Sequence, residues 1–144
     1  RTLEKMGRTE DAEKWYRLNA EQSKESVRSL ELVLFLQRNG YLKQAMEVCQ
    51  DLVRRFPDNS EAQVSLANLL AASNRPEDAI RHYQTALAAR PNDPDILYNL
   101  ATVQATAEQW TEAVRTLEKL LSVDPADQEA RSKLQYCRMK AGKE

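Results

Sequence analysis

A period of 34 residues runs through this sequence and constrains its fold more than any other feature. Leu32, Leu66, Leu100 and Leu134 are each 34 residues apart, Ala45, Ala79 and Ala113 repeat the spacing, and Pro57, Pro91 and Pro125 repeat it again. Three series with one period mark a chain built from copies of one supersecondary unit, each unable to bury its apolar face alone and completed by its neighbours. Ala12 stands 33 residues before Ala45, which extends the register toward the N-terminus with one residue deleted.

Within a unit the apolar residues recur at helical spacing. Leu66, Leu69 and Leu70 form one stripe, and Ala79, Ile80, Tyr83, Ala86 and Leu87 form the next, so each unit reads as two amphipathic helices. The breakers agree. Asn39-Gly40 can close a helix in the left-handed conformation, Ser73-Asn74-Arg75-Pro76 ends one helix and starts another with proline in its first turn, and Pro57, Pro91 and Pro125 mark the exits. The composition points the same way: 30% charged residues, three glycines and 6% aromatics favour helix over a many-turned β fold.

A unit of this length with leucine, a small residue, alanine, an aromatic and a terminal proline in this order resembles the tetratricopeptide repeat. The best match is 94–127, with Pro94, Leu97, Tyr98, Leu100-Ala101, Trp110, Ala113, Leu117, Leu120-Leu121 and Pro125. The unit at 60–93 is nearly as close. The unit at 26–59 departs, with Val33 where the family prefers glycine or alanine and Cys49 where it prefers an aromatic, which predicts looser helix contact there. Residues 1–25 read as a partial repeat, mainly a second helix carrying Ala12 and Tyr16, and 128–144 as a C-terminal helix with Ala130, Leu134 and Tyr136. The resemblance implies an all-α fold: one array over 1–144, a right-handed superhelical solenoid of antiparallel helix-turn-helix hairpins.

In that family the first helix of each hairpin lines the concave side. The groove-facing positions carried over residue by residue are Leu30, Leu34, Gln37 and Arg38, then Val64, Asn68 and Ala71, then Tyr98, Thr102 and Ala105, with Tyr136 and Met139 in the last helix. The resulting groove is mildly apolar and suits an extended segment or an amphipathic helix with leucine-like anchors. For Leu30 and Leu34 the competing reading is packing against a neighbouring hairpin. Chaperone-binding members clamp a partner's terminal carboxylate with lysine, asparagine and arginine. This chain keeps Asn68 and Asn99 and has Lys133 for the arginine, but Val64 and Glu129 stand at the two clamp lysines, which argues against that ligand.

Charge and chemistry narrow the function. With 21 basic and 22 acidic residues the chain has no excess positive charge to draw it to nucleic acid or anionic lipid. Its longest apolar run, Leu32 to Leu36, is far short of the roughly 18–20 residues that cross a bilayer. Cys49 and Cys137 lie inside helical patterns and read as buried or half-buried thiols, with no disulfide framework and no metal spacing. The lone histidine, His82, reads as a solvated surface residue without a nucleophile beside it. Glu10-Asp11 and Glu77-Asp78 fall in first helical turns, where negative charge offsets exposed amides. Arg54-Arg55 reads as part of a solvated face balanced by nearby acids, and Trp15 and Trp110 as packed or half-exposed helix residues.

No phosphate loop, CxxC pair or HExxH is present, so no catalytic residue, metal site or cofactor is expected. The chain begins at Arg1 without a signal or transit pattern, which reads as a piece of a longer protein. The leading expectation is a scaffold that binds a protein or peptide partner. The alternatives are the regulatory or substrate-recruiting arm of a larger enzyme, as in some glycosyltransferases, and a module that self-associates through its array ends.

Overall fold

The structure is a computed structural model and describes residues 24–142. The partial repeat expected in residues 1–25, with Ala12, Trp15 and Tyr16, lies almost wholly outside the described residues, as does Glu10-Asp11. Among the described residues there are seven helices and no strand. They are α1 (24–38), α2 (Leu42–Arg55), α3 (Ser60–Ala72), α4 (Pro76–Ala89), α5 (Pro94–Thr106), α6 (Trp110–Val123) and α7 (Gln128–Ala141).

Local chemistry repeated in every unit sets the helix ends. Asn59, Asp93 and Asp127 cap α3, α5 and α7: their side-chain oxygens accept from the backbone N–H of Ala62 (3.1 Å), of Asp95 and Ile96 (3.0 and 3.4 Å), and of Ala130 (3.0 Å). Each cap satisfies amides that the first turn leaves unpaired. At the other end of α1, α3 and α5 the chain passes through a left-handed residue: Gly40 (φ 80°), Asn74 (φ 60°) and Glu108 (φ 60°). The next N–H folds back five residues, from Tyr41 to Leu36 O (2.8 Å), Arg75 to Leu70 O (2.9 Å) and Gln109 to Gln104 O (2.8 Å). That bond closes the helix and turns the chain directly into the second helix of the hairpin. The second helices stop at Phe56, Arg90 and Asp124, each just before Pro57, Pro91 or Pro125, because a residue preceding proline is pushed out of the helical region.

Helices α2 to α7 pack in chain order, each against the next. The apolar stripes merge into two clusters. One runs from Val33 of α1 through Ala45, Cys49, Leu66, Leu69, Ala79 and Tyr83 to Ile96, Leu100 and Val103 of α5. The other joins Leu97 and Ala101 of α5 to Ala113, Leu117 and Leu120 of α6 and Ala130, Leu134 and Cys137 of α7. Helix α5 therefore buries two faces and links the clusters, as a middle element of a stacked array must. Ala45, Ala79 and Ala113 are wholly buried, where a larger side chain would push the helices apart. Each fully buried leucine, such as Leu117 or Leu120, contributes about 1.5–3 kcal/mol.

At the departures from the family pattern, Val33 and Cys49 are both buried members of the first core cluster, against which Leu36, Met46 and Val48 also pack. One expectation is corrected here, that for His82. His82 is half-buried rather than solvated, with Nδ1 2.7 Å from Oε1 of the buried Gln63, whose Nε2 donates to the Pro57 carbonyl (2.9 Å). The Gln63 amide uses its donor on Pro57, so His82 Nδ1 carries the proton. A comparable polar link ties α5 to α6, where the Thr116 hydroxyl donates to Gln104 Oε1 (2.7 Å).

Candidate partner-binding groove

The repeat brings the first helices α1, α3, α5 and α7 alongside one another, and two open slots run between them. The larger, about 710 Å³, lies between α5 and α7. Tyr98, Thr102 and Ala105 line it from α5, Lys133 and Tyr136 from α7, and Trp110 closes one end. The smaller, about 330 Å³, lies between α1, α3 and α5, with Leu30, Leu34, Val64, Ile96 and Asn99 in its walls.

Helical periodicity places these side chains. Tyr98, Thr102 and Ala105 follow at spacings of four and three along α5, which keeps them on one face, and Glu129, Lys133 and Tyr136 do the same along α7. The adjoining faces of the same helices carry the buried stripes Leu97–Ala101 and Ala130–Leu134–Cys137. Burial of one face thus dictates which residues are presented on the other.

In the larger slot the Lys133 ammonium sits 4.9 Å from the centre of the Tyr98 ring and donates to Thr102 Oγ1 (2.9 Å). Trp110 and Tyr136 meet edge to face, with centroids 5.8 Å apart and planes at 77°. Burial first, and then the charge and hydrogen bonding of Glu129, push the Tyr98 hydroxyl above its ordinary pKa. The smaller slot has a different rim: the Arg90 guanidinium lies 3.7 Å from Glu61 and 3.8 Å from Asp93, and Asp95 adds a third carboxylate.

The residues singled out from the sequence divide into those that converge and those that do not. Tyr98, Thr102, Ala105 and Tyr136 share the larger slot, and Leu30, Leu34 and Val64 the smaller. Leu34 is 51% exposed and Leu30 half-buried. Gln37 is half-buried and Arg38 exposed at the end of α1, while Ala71 packs against the first core cluster; these three line neither slot. Asn68 also stands outside both slots, because its side-chain oxygen accepts the hydroxyl of Tyr83. Met139 is exposed beyond the larger slot.

Trp110, read from the sequence as a packed or half-exposed helix residue, is half-buried against the second core cluster and also lines the slot, whereas Lys133 enters the sequence reading only at the clamp position. The signal for Trp110 was its position at the start of a second helix, facing the next unit. For Lys133 no local signal existed, since its partners lie on α5. Among the described residues no group of histidine, cysteine and acidic side chains could hold a metal ion, and no helix is long and apolar enough to cross a membrane.

Comparison with known proteins bears on the family and the fold. Two family profiles, both described as tetratricopeptide repeat, match residues 30–94 and 70–137. Cellulose synthase operon protein C of Pseudomonas fluorescens (strain SBW25) is 31% identical over 88 residues, covering 61% of this chain and 7% of that protein. The chain thus spans a small fraction of that relative's length. Among solved structures, the MamA RS-1 ArsTM double mutant superposes with a TM-score of 0.76 at 19% identity, over 82% of this chain and 66% of that one. The second TPR domain of human RPAP3, in complex with the HSP70 peptide SGPTIEEVD, superposes with a TM-score of 0.74 at 14% identity, over 81% and 98% of the two chains. Both share the fold.

Proposed function

Because the chain belongs to the tetratricopeptide repeat family, we propose that it is a protein-interaction module that binds a segment of a partner protein across the face formed by α1, α3, α5 and α7. The observation that carries this reading is the pair of open slots on that face, whose walls combine core-backed apolar and aromatic side chains such as Val64, Tyr98 and Trp110 with the exposed Leu34 and Tyr136. Concave apolar surfaces with a few fixed polar groups are the usual receptors for extended or helical segments. The human RPAP3 domain, which has the same fold, was solved with a peptide bound. The module acts by binding and positioning, not by catalysis.

A second reading places the same groove in the recruiting arm of a larger protein. It draws support from the small share of the P. fluorescens relative that this chain spans. The binding surface is identical in both readings.

The test is site-specific photo-crosslinking. A benzophenone amino acid is placed at Leu34 or Tyr136 on the groove, or at the exposed second-helix positions Gln84 or Lys119 as controls, and partners are captured from a native lysate. Capture from the groove positions alone supports the proposal. Capture from Gln84 or Lys119 alone moves the site to the opposite face, and capture of the chain's own copies makes the module self-associating.

A further inference from the structure

Among the described residues Lys133 is held without a carboxylate partner, as is Arg131 on the same helix, which donates to the Pro125 carbonyl, although other arginines of the chain are ion-paired. Arg54 pairs with Asp51, Arg75 and Arg81 with Asp78, Arg115 with Glu112 and Arg138 with Glu118. Glu129 stands four residues before Lys133 on α7, the spacing and order at which an acid and a base pair best on a helix. That pair does not form, and among the described residues no carboxylate lies within ion-pair distance of Lys133. The charge of Glu129 acts on the Tyr98 hydroxyl, whose pKa it helps to raise. The lysine reaches across to α5, where the Thr102 hydroxyl, itself donating to the Tyr98 carbonyl (2.9 Å), presents a lone pair to it.

An ammonium group has three donors. Thr102 accepts one and the Tyr98 ring face receives the charge from another side, which leaves donor capacity for a ligand in the slot that Lys133 lines. The cation is half-buried and held in place before any ligand arrives, so an anion that reaches it pays little ordering entropy. Beside it stands an apolar wall, the Trp110–Tyr136 pair with Ala105. A slot of about 710 Å³ has room for two side chains of a partner.

We propose that the α5–α7 slot recognises an internal stretch of a partner polypeptide in which an acidic side chain lies close to a large apolar one. The carboxylate binds Lys133 and the apolar group covers Trp110 and Tyr136. The inference rests on the groove reading above and adds the chemistry of the segment. Val64 and Glu129 stand where a clamp for a terminal carboxylate would need lysines, so the segment that fits beside Lys133 is an internal one. On one side Glu129 disfavours a second acid, and on the other the aromatic wall selects the apolar residue.

The test is selection from a library of random dodecapeptides displayed internally between two constant domains, so that no peptide has a free end, against the full chain. Enriched sequences are expected to carry Asp or Glu within three positions of Leu, Met, Phe or Trp. The same peptides, synthesised with both ends blocked, should bind about tenfold or more weakly to Lys133→Met, which keeps the aliphatic stem, and should lose affinity in salt with the parent chain only. Tyr136→Ser, at an exposed site, provides a second variant that should weaken binding several-fold, with helicity verified for both. Enrichment of peptides without acids, no enrichment, binding unaffected by Lys133→Met, or enrichment only from a library with free carboxyl ends overturns the inference. If binding survives Lys133→Met but is lost on Leu34→Glu, the groove reading stands and only the slot assignment falls. Indifference to both substitutions removes both.

Discussion

The buried hydroxyl of Tyr83 donates a hydrogen bond to the side-chain oxygen of Asn68, joining the two helices of the α3–α4 hairpin from the inside. Burial pushes that hydroxyl up to about 12, so it remains a neutral donor at any ordinary pH. Asn68→Ala would leave the hydroxyl unpaired in the core and should cost about 1–3 kcal/mol, whereas Tyr83→Phe, which leaves only the half-exposed amide unpaired, should cost about 0.5–1.5 kcal/mol. Urea denaturation of the two variants beside the parent measures both. Equal costs would show that Asn68 finds no compensation from water.

The left-handed residues Gly40, Asn74 and Glu108 occupy one position of the repeat, and glutamate is the least suited of the three to a positive φ. Glu108→Gly should raise stability by about 1 kcal/mol. A Cβ at residue 40 would meet nothing within 4 Å, so Gly40→Ala should lose a similar amount through backbone strain alone. Thermal melts followed by circular dichroism give the sign of each change.

His82 gives the fold a pH dependence. Burial first, and the neighbouring Arg81 second, lower its pKa below the ordinary value of 6.5. The unfolded chain therefore binds a proton more readily than the folded one. Stability is complete above pH 6.5 and declines as the pH falls below it, until the folded-state histidine also protonates. The decline should be smaller in His82→Gln when denaturation midpoints at neutral and mildly acidic pH are compared. A parent and variant with parallel profiles would assign the pH dependence to other groups.

Cys49 and Cys137 are both fully buried, and burial raises the thiol pKa of each, that of Cys49 to about 11. For Cys137 the charge of Lys133 partly opposes the shift. Little thiolate forms at neutral pH, so a thiol reagent such as DTNB should react slowly with the native chain and rapidly in denaturant. Cys137 is expected to react before Cys49. Immediate labelling of both in native buffer would contradict the burial.

The structure also bears on which sequence signals were sufficient. The period, the identity of the helices and their ends were legible because each is decided within a few residues: Gly40 in the left-handed turn, Pro76 in the first turn of α4, and Pro57, Pro91 and Pro125 just after helix ends. The caps Asn59, Asp93 and Asp127 belong to the same class of local signal. Burial of Leu66, Leu100 and Leu134 followed from the same stripes. Leu32 keeps the spacing yet is 45% exposed, and Phe35, equivalent to Leu69, is 60% exposed. The period specifies an apolar residue at these positions but not what covers it.

The amino-acid sequence by itself determined the architecture, because helix periodicity, turn chemistry and a strict repeat are properties of short stretches that neighbouring copies reinforce. The tertiary structure alone decided which groove residues are available. Asn68 is taken by Tyr83, fifteen residues away, and Lys133 passes over Glu129, its neighbour on the same helix, for Thr102, 31 residues away. Such choices depend on how one hairpin is set against the next, and that setting comes from the packing of the whole stack.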